Sequence, residues 1–157
     1  MKKIYICTLF LLMMNMISAQ ENDECLGFVS DGTYLRYTAS GYQNVINGNH
    51  SKAINESRKM ANISAECELS KMVNSVVTRL ADKLAEDGIS YSELNIDTTL
   101  VSSYKVFNGM RTICQSETKL INNAYVTYVT KEISIDNIGD MFYFDDKAKE
   151  ELKKIIE

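Results

Sequence analysis

His50 is the only histidine in the chain, and histidine is the only side chain that titrates near neutrality without help. A nucleophile would need it as a base within hydrogen-bond reach. It stands instead at the start of a helical pattern, beside Asn47, Asn49 and Ser51, with no Gly-x-Ser-x-Gly elbow or Cys-Gly context in support. As a metal ligand it has no second histidine, and Glu56 and Cys67 are not spaced to join it. Paired carboxylates are the other route to acid–base chemistry. Glu66 and Glu68 diverge on a helix, while Glu86-Asp87 and Asp145-Asp146 sit at helix ends, and without tryptophan no sugar-stacking platform accompanies them. The expectation is a protein without catalytic residues, metal site or cofactor. The rival is a small hydrolase built on His50 or an acidic pair.

The tyrosines suggest binding rather than catalysis. Tyr34, Tyr37 and Tyr42 cluster near one another, and Tyr125 and Tyr128 lie together further on. A sheet face bearing them could hold a small molecule or glycan, although tyrosines more often cover one side of a small sheet. Phe142-Tyr143-Phe144 is the better contact surface, because three consecutive aromatics cannot all point inward from one short segment.

The elements that must carry these residues follow from periodicity. Thr33 to Ala39 alternates as a strand, with Tyr34, Arg36 and Thr38 on one side and Leu35 and Tyr37 on the other. From Ser51 to about Glu86, Ile54, Ala61, Ala65, Met72, Val76, Leu80 and Leu84 form one stripe of a long amphipathic helix. Asn49 is its N-cap and Gly88 its stop. The small residues Ala53, Ser57, Ala61 and Ala65 predict close approach to a partner surface, with Ala61 and Ala65 buried against the sheet. Residues 90–103 are ambiguous. Tyr104 to Glu117 and Tyr125 to Ile135 read as two strands of a hairpin turning at Asn122-Asn123. Asp145-Asp146 opens a last short helix whose lysines, Lys149, Lys153 and Lys154, lie towards its end. The fold class is α+β, a long amphipathic helix packed across a small antiparallel sheet with a short C-terminal helix.

The chain has 157 residues, 45% of them hydrophobic, enough for one ordinary domain. Lys2 and Lys3, the apolar run Ile4 to Ile17 and the small residues Ser18-Ala19 have the three-part layout of a secretory signal peptide, cleaved near Ala19. The run is shorter than the ~20 residues of a spanning helix, so no permanent span is expected after cleavage. The expected organisation is a leader over 1–19, a flexible segment over 20–32 and one domain over 33–157. Loss of Lys2 and Lys3 leaves 15 of 17 basic residues against 21 acidic ones, a net charge of −6 that argues against nucleic acid. The location is then periplasmic or secreted, where disulfides persist. Cys25, Cys67 and Cys114 remain, so at most one internal bridge can form. The helix runs back along the first strand with a rise of about 1.5 Å per residue against about 3.3 Å. That brings Cys67 level with Cys25, making Cys25–Cys67 the favoured bridge, if one forms, and Cys114 a free thiol within a strand.

The strand Tyr34-Leu35-Arg36-Tyr37-Thr38-Ala39-Ser40-Gly41, the helix with Ala53, Ser57, Ala61 and Ala65, and the strand Ala124-Tyr125-Val126-Thr127-Tyr128-Val129 follow one another in a familiar order. Over residues 33–135 this resembles the small bacterial envelope proteins of the Lpp-twenty-type lipoprotein family. The chain departs from the name-giving members in lacking a lipid-attachment cysteine. The resemblance implies an exported envelope protein with no catalytic residues to carry over. Together these readings point to a non-enzymatic protein acting through contacts with another envelope protein. The exposed sheet edge or Phe142-Tyr143-Phe144 would form its contact surface.

Overall fold

A computed structural model describes residues 24–88 and 103–156. The leader, the first residues of the segment 20–32 and nearly all of the ambiguous stretch 90–103 lie outside the described residues.

The sheet is organised by its last strand. Ala124–Ser134 (β4) is a run of β-branched and aromatic residues that suits a strand paired on both sides. Tyr34–Asn44 (β1) pairs with one side of β4, antiparallel, in unbroken register from Tyr34 opposite Ser134 to Asn44 opposite Ala124. On β4's other side lie Arg111–Gln115 (β2), with a bulge between Thr112 and Cys114, and Lys119–Ile121 (β3). Asn122 and Asn123 both take positive φ, 50° and 63°, which closes the two-residue turn from β3 into β4.

His50–Glu86 (α1) lies on one face of this sheet, mostly over β1 and β4. Asn49 caps it, its side chain accepting from the Lys52 N–H at 3.0 Å. Past Asp87 the chain turns at Gly88 with φ +85°. The first half of α1 touches the sheet with Ala53, Ser57, Ala61 and Ala65, all buried. The contact is so close that a Cβ on Gly41 would lie 1.9 Å from the Ser57 carbonyl oxygen and 2.4 Å from the Ala61 nitrogen. Here Ser57 Oγ meets Thr127 Oγ1 at 3.0 Å, and Thr127 meets Thr118 at 2.9 Å, so the buried hydroxyls are satisfied.

The second half of α1 builds the main core. Leu69, Val73, Val77, Leu80 and Leu84 pack with Leu35, Val106, Ile133 and two short helices, Ile135–Met141 (α3) and Asp146–Ile156 (α4). Between residues 103 and 109 the expected strand is instead helical; Ser103–Gly109 is α2 by chain order. A mixed segment of seven residues, Ser-Tyr-Lys-Val-Phe-Asn-Gly, is too short to fix its own period, and Val106 reaches the core from a helical turn. Of the expected first hairpin arm, Tyr104 to Glu117, only Arg111–Gln115 is extended, and the arm that turns at Asn122-Asn123 is the separate strand Lys119–Ile121.

The docking of α4 on α1 carries a pH dependence. Glu151 accepts from Lys154 at 2.6 Å and pairs with Lys83 of α1. Those two ammonium groups, Lys154 foremost, hold its carboxyl down to about 2 from the ordinary 4.5. A carboxylate with a depressed folded-state pKa stabilises fully above the unfolded value and loses that contribution as pH falls through the folded one. The urea midpoint is therefore expected to decline between about pH 4.5 and 2, and to decline less in Glu151→Gln. Parallel curves for the two proteins across that window would remove Glu151 from the acid response.

Candidate functional site

His50 is exposed at the start of α1, and its Nδ1 lies 3.2 Å from the Tyr125 hydroxyl, the rings meeting edge-on at 5.9 Å. No serine, threonine or cysteine side chain among the described residues hydrogen-bonds to it. Among the described residues, no group of three or more His, Cys, Asp or Glu side chains is arranged to hold a metal ion.

Phe142-Tyr143-Phe144 divides. Phe142 and Phe144 are 7% exposed, stacked on each other with centroids 5.4 Å apart, and belong to the main core. Only Tyr143 is exposed, at 75%, and its φ of +58° accounts for this. One left-handed residue reverses the chain, so both flanking rings turn inward. The expected three-residue contact surface is thereby corrected to a single tyrosine.

The cysteine expectation is also corrected. Cys25 is bonded to Cys114, with Cα atoms 5.5 Å apart, and Cys67 is a free, exposed thiol on α1. The error lay in the face. The segment before β1 crosses the side of the sheet opposite α1, where the Thr38 and Thr130 hydroxyls donate to the Cys25 carbonyl oxygen at 3.0 and 2.9 Å. Cys114 stands opposite Thr130 beside the β2 bulge and meets Cys25 there, while the sheet separates Cys67 from both. Glu24–Gly27, inside the stretch expected to be flexible, is a short 3-10 turn held by this bond with Cys25 fully buried.

The same face carries an ionic cluster. Glu132 is 2% exposed and accepts from Arg36 Nε at 2.7 Å and Arg111 Nε at 2.6 Å. Both guanidinium groups lie over the Tyr34 ring, 5.1 and 5.2 Å from its centroid. Asp31 accepts from the N–H groups of Thr33 and Tyr34, both at 2.8 Å, and pairs with Arg36; these donors, the backbone ones first, lower its pKa. Every charge here is answered within the cluster, which leaves it a fastening of the segment before β1. The tyrosines are split by the alternation of the strands. Tyr34, Tyr42 and Tyr128 take this face and Tyr37 and Tyr125 the helix face, so they form no single platform.

What remains is the outer edge of β1. Its outward groups are those of Tyr34, Arg36, Thr38, Ser40 and Tyr42, because alternate residues of an antiparallel strand turn away from their partner. Asp31 N–H donates to the Tyr34 carbonyl, and Ser30 Oγ bonds both the N–H and the carbonyl of Arg36. No hydrogen bond from the described residues reaches the outward groups of Thr38, Ser40 and Tyr42. Next to this stretch, Gln43, Asn44, Ile46, Lys52 and Glu56 line an open recess of about 500 Å³ between the strand and α1. No protein-family model matches the chain, and no curated protein matches its sequence.

Proposed function

We propose that this chain is an exported, non-enzymatic protein of a bacterial cell envelope that works by protein contact, with the outer edge of β1 as its contact surface. The open groups of Thr38, Ser40 and Tyr42 carry this reading. A strand edge that the described residues leave uncovered offers a ready row of donors and acceptors to an incoming strand, and the recess beside it can receive side chains from the same partner. Export is supported by the leader-like first nineteen residues and by the Cys25–Cys114 bond, which persists in an oxidising compartment. The order of elements, which resembles that of the Lpp-twenty-type lipoprotein family, supports the envelope. Among the described residues no helix is long and apolar enough to cross a membrane. The partner is a protein of the same envelope.

A photo-crosslinking residue at Tyr42, which is 52% exposed, tests the surface in intact cells. A discrete protein adduct is expected from position 42 and none from the exposed Lys147 on α4. Equal yields from both positions would defeat the assignment of the edge.

A further inference from the structure

We infer that the β1 edge pairs with the β1 edge of a second copy of this chain, joining two sheets into one and bringing the two long helices side by side. The inference rests on reading β1 as the contact edge and identifies its partner. The two borders of the sheet are treated differently. The β2/β3 border is broken into strands of five and three residues with a bulge, features that discourage strand addition. The β1 border has no bulge, proline or lysine, and beyond the part that Ser30 and Asp31 cover, Thr38 to Tyr42 carries no charge at all. A two-fold pairing of β1 with itself consumes that border on both copies and closes the assembly.

The helix is set to accept this. Arg58 donates to Thr118, and Glu66 pairs with Lys131, so one flank of α1 faces β4 and β3. The other flank, which carries Lys52, Glu56, Met60, Ser64 and Glu68, overhangs the β1 edge; Lys52 and Glu56 share the recess with Gln43 and Asn44. Met60 lies at its middle with 45% of its surface exposed, level with the crossing at Gly41. Strands pair at about 4.8 Å, so helices seated over the β1–β4 seam in two joined copies come to ~10 Å apart, a normal distance for packed helices. About a two-fold axis near Met60 the helices run antiparallel. Met60 meets its own counterpart, Lys52 faces Glu68 of the second copy, which also pairs with Lys71 of its own helix at 2.6 Å, and Glu56 faces Ser64. Opposite charges meet and like charges do not.

Sedimentation equilibrium of the purified chain in a Cys67→Ser background, where no disulfide can join two α1 thiols, is expected to give a dimer at micromolar concentration. Ser40→Pro removes only an outward N–H, as edge strands tolerate, and is expected to give a monomer with unchanged circular dichroism. Met60→Glu places two carboxylates at the axis and is expected to weaken dimerisation at least tenfold, even should the proline variant misfold. Lys52→Glu should weaken it too, and Lys52→Glu with Glu68→Lys should restore it. A monomeric parent chain overturns the second copy as partner while leaving the Tyr42 adduct to identify a different protein. A dimer that survives both Ser40→Pro and Met60→Glu overturns the edge as its interface.

Discussion

Gly41→Ala is expected to lower the stability of the folded chain by more than about 3 kcal/mol, the upper end of what overpacking costs. The added methyl would lie 1.9 Å from the Ser57 carbonyl oxygen and 2.4 Å from the Ala61 nitrogen. Both are backbone atoms within a helix, so no side chain can rotate away to make room. Relief requires α1 to lift from the sheet by more than an ångström. That movement would open the contacts of Ala61 and Ala65 with Val129 and stretch the hydrogen bond between Ser57 and Thr127. Gly27 supplies the control, since a Cβ there meets nothing within 4 Å. Its replacement by alanine should stay within about 0.5 kcal/mol of the parent, as surface changes usually do. Urea unfolding of the three proteins reads both numbers. A Gly41→Ala midpoint equal to that of Gly27→Ala would mean that α1 and β1 do not approach as closely as described.

The same crossing explains what could be read before the structure and what could not. Ala53, Ser57, Ala61 and Ala65 repeat every four residues, and that repeat alone predicts a helix brought close to a surface. Ala61 and Ala65 are indeed fully buried there. Gly41 alone did not specify the crossing, because a glycine within a strand is as consistent with a bulge as with the close backbone approach found here. Asn49, Gly88 and Asn122-Asn123 were legible because caps and tight turns are local, each set by a few adjacent residues. The fate of Phe142-Tyr143-Phe144 was not, since it turns on one positive φ at Tyr143, a conformation that a tyrosine rarely adopts. The edge of β1 was illegible for a different reason. Alternation shows which residues share a face, but which strand ends up at the border depends on pairing among segments some ninety residues apart. The sequence predicts an exposed sheet edge as a contact surface, but the strand that provides it is set by this distant pairing.

Loss of the Cys25–Cys114 bond is expected to cost about 4 kcal/mol, because it closes a long loop and chain entropy rises with loop length. The two cysteines are 89 positions apart, so the bond removes a large set of conformations from the unfolded chain. It also acts locally. Without it, the 3-10 turn Glu24–Gly27 is held over the sheet chiefly by the Thr38 and Thr130 hydroxyls on one carbonyl and by the Ser30 and Asp31 contacts with Arg36. Two hydroxyl bonds contribute about 1 kcal/mol each and do not replace a covalent tie. Cys25→Ser with Cys114→Ser should therefore lower the unfolding free energy of the chain by about that 4 kcal/mol, a large part of the 5–15 kcal/mol typical of a domain. Cys67→Ser should leave it unchanged, because that thiol is exposed and free on the far side of the sheet. The parent protein treated with reductant should unfold like the double variant. Peptide mapping without reductant should join the peptide of Cys25 to that of Cys114. A map that joined Cys67 to either would put the segment before β1 on the helix side of the sheet. Such a result would dissolve the account of Thr38, Thr130 and Glu132 as its fastening.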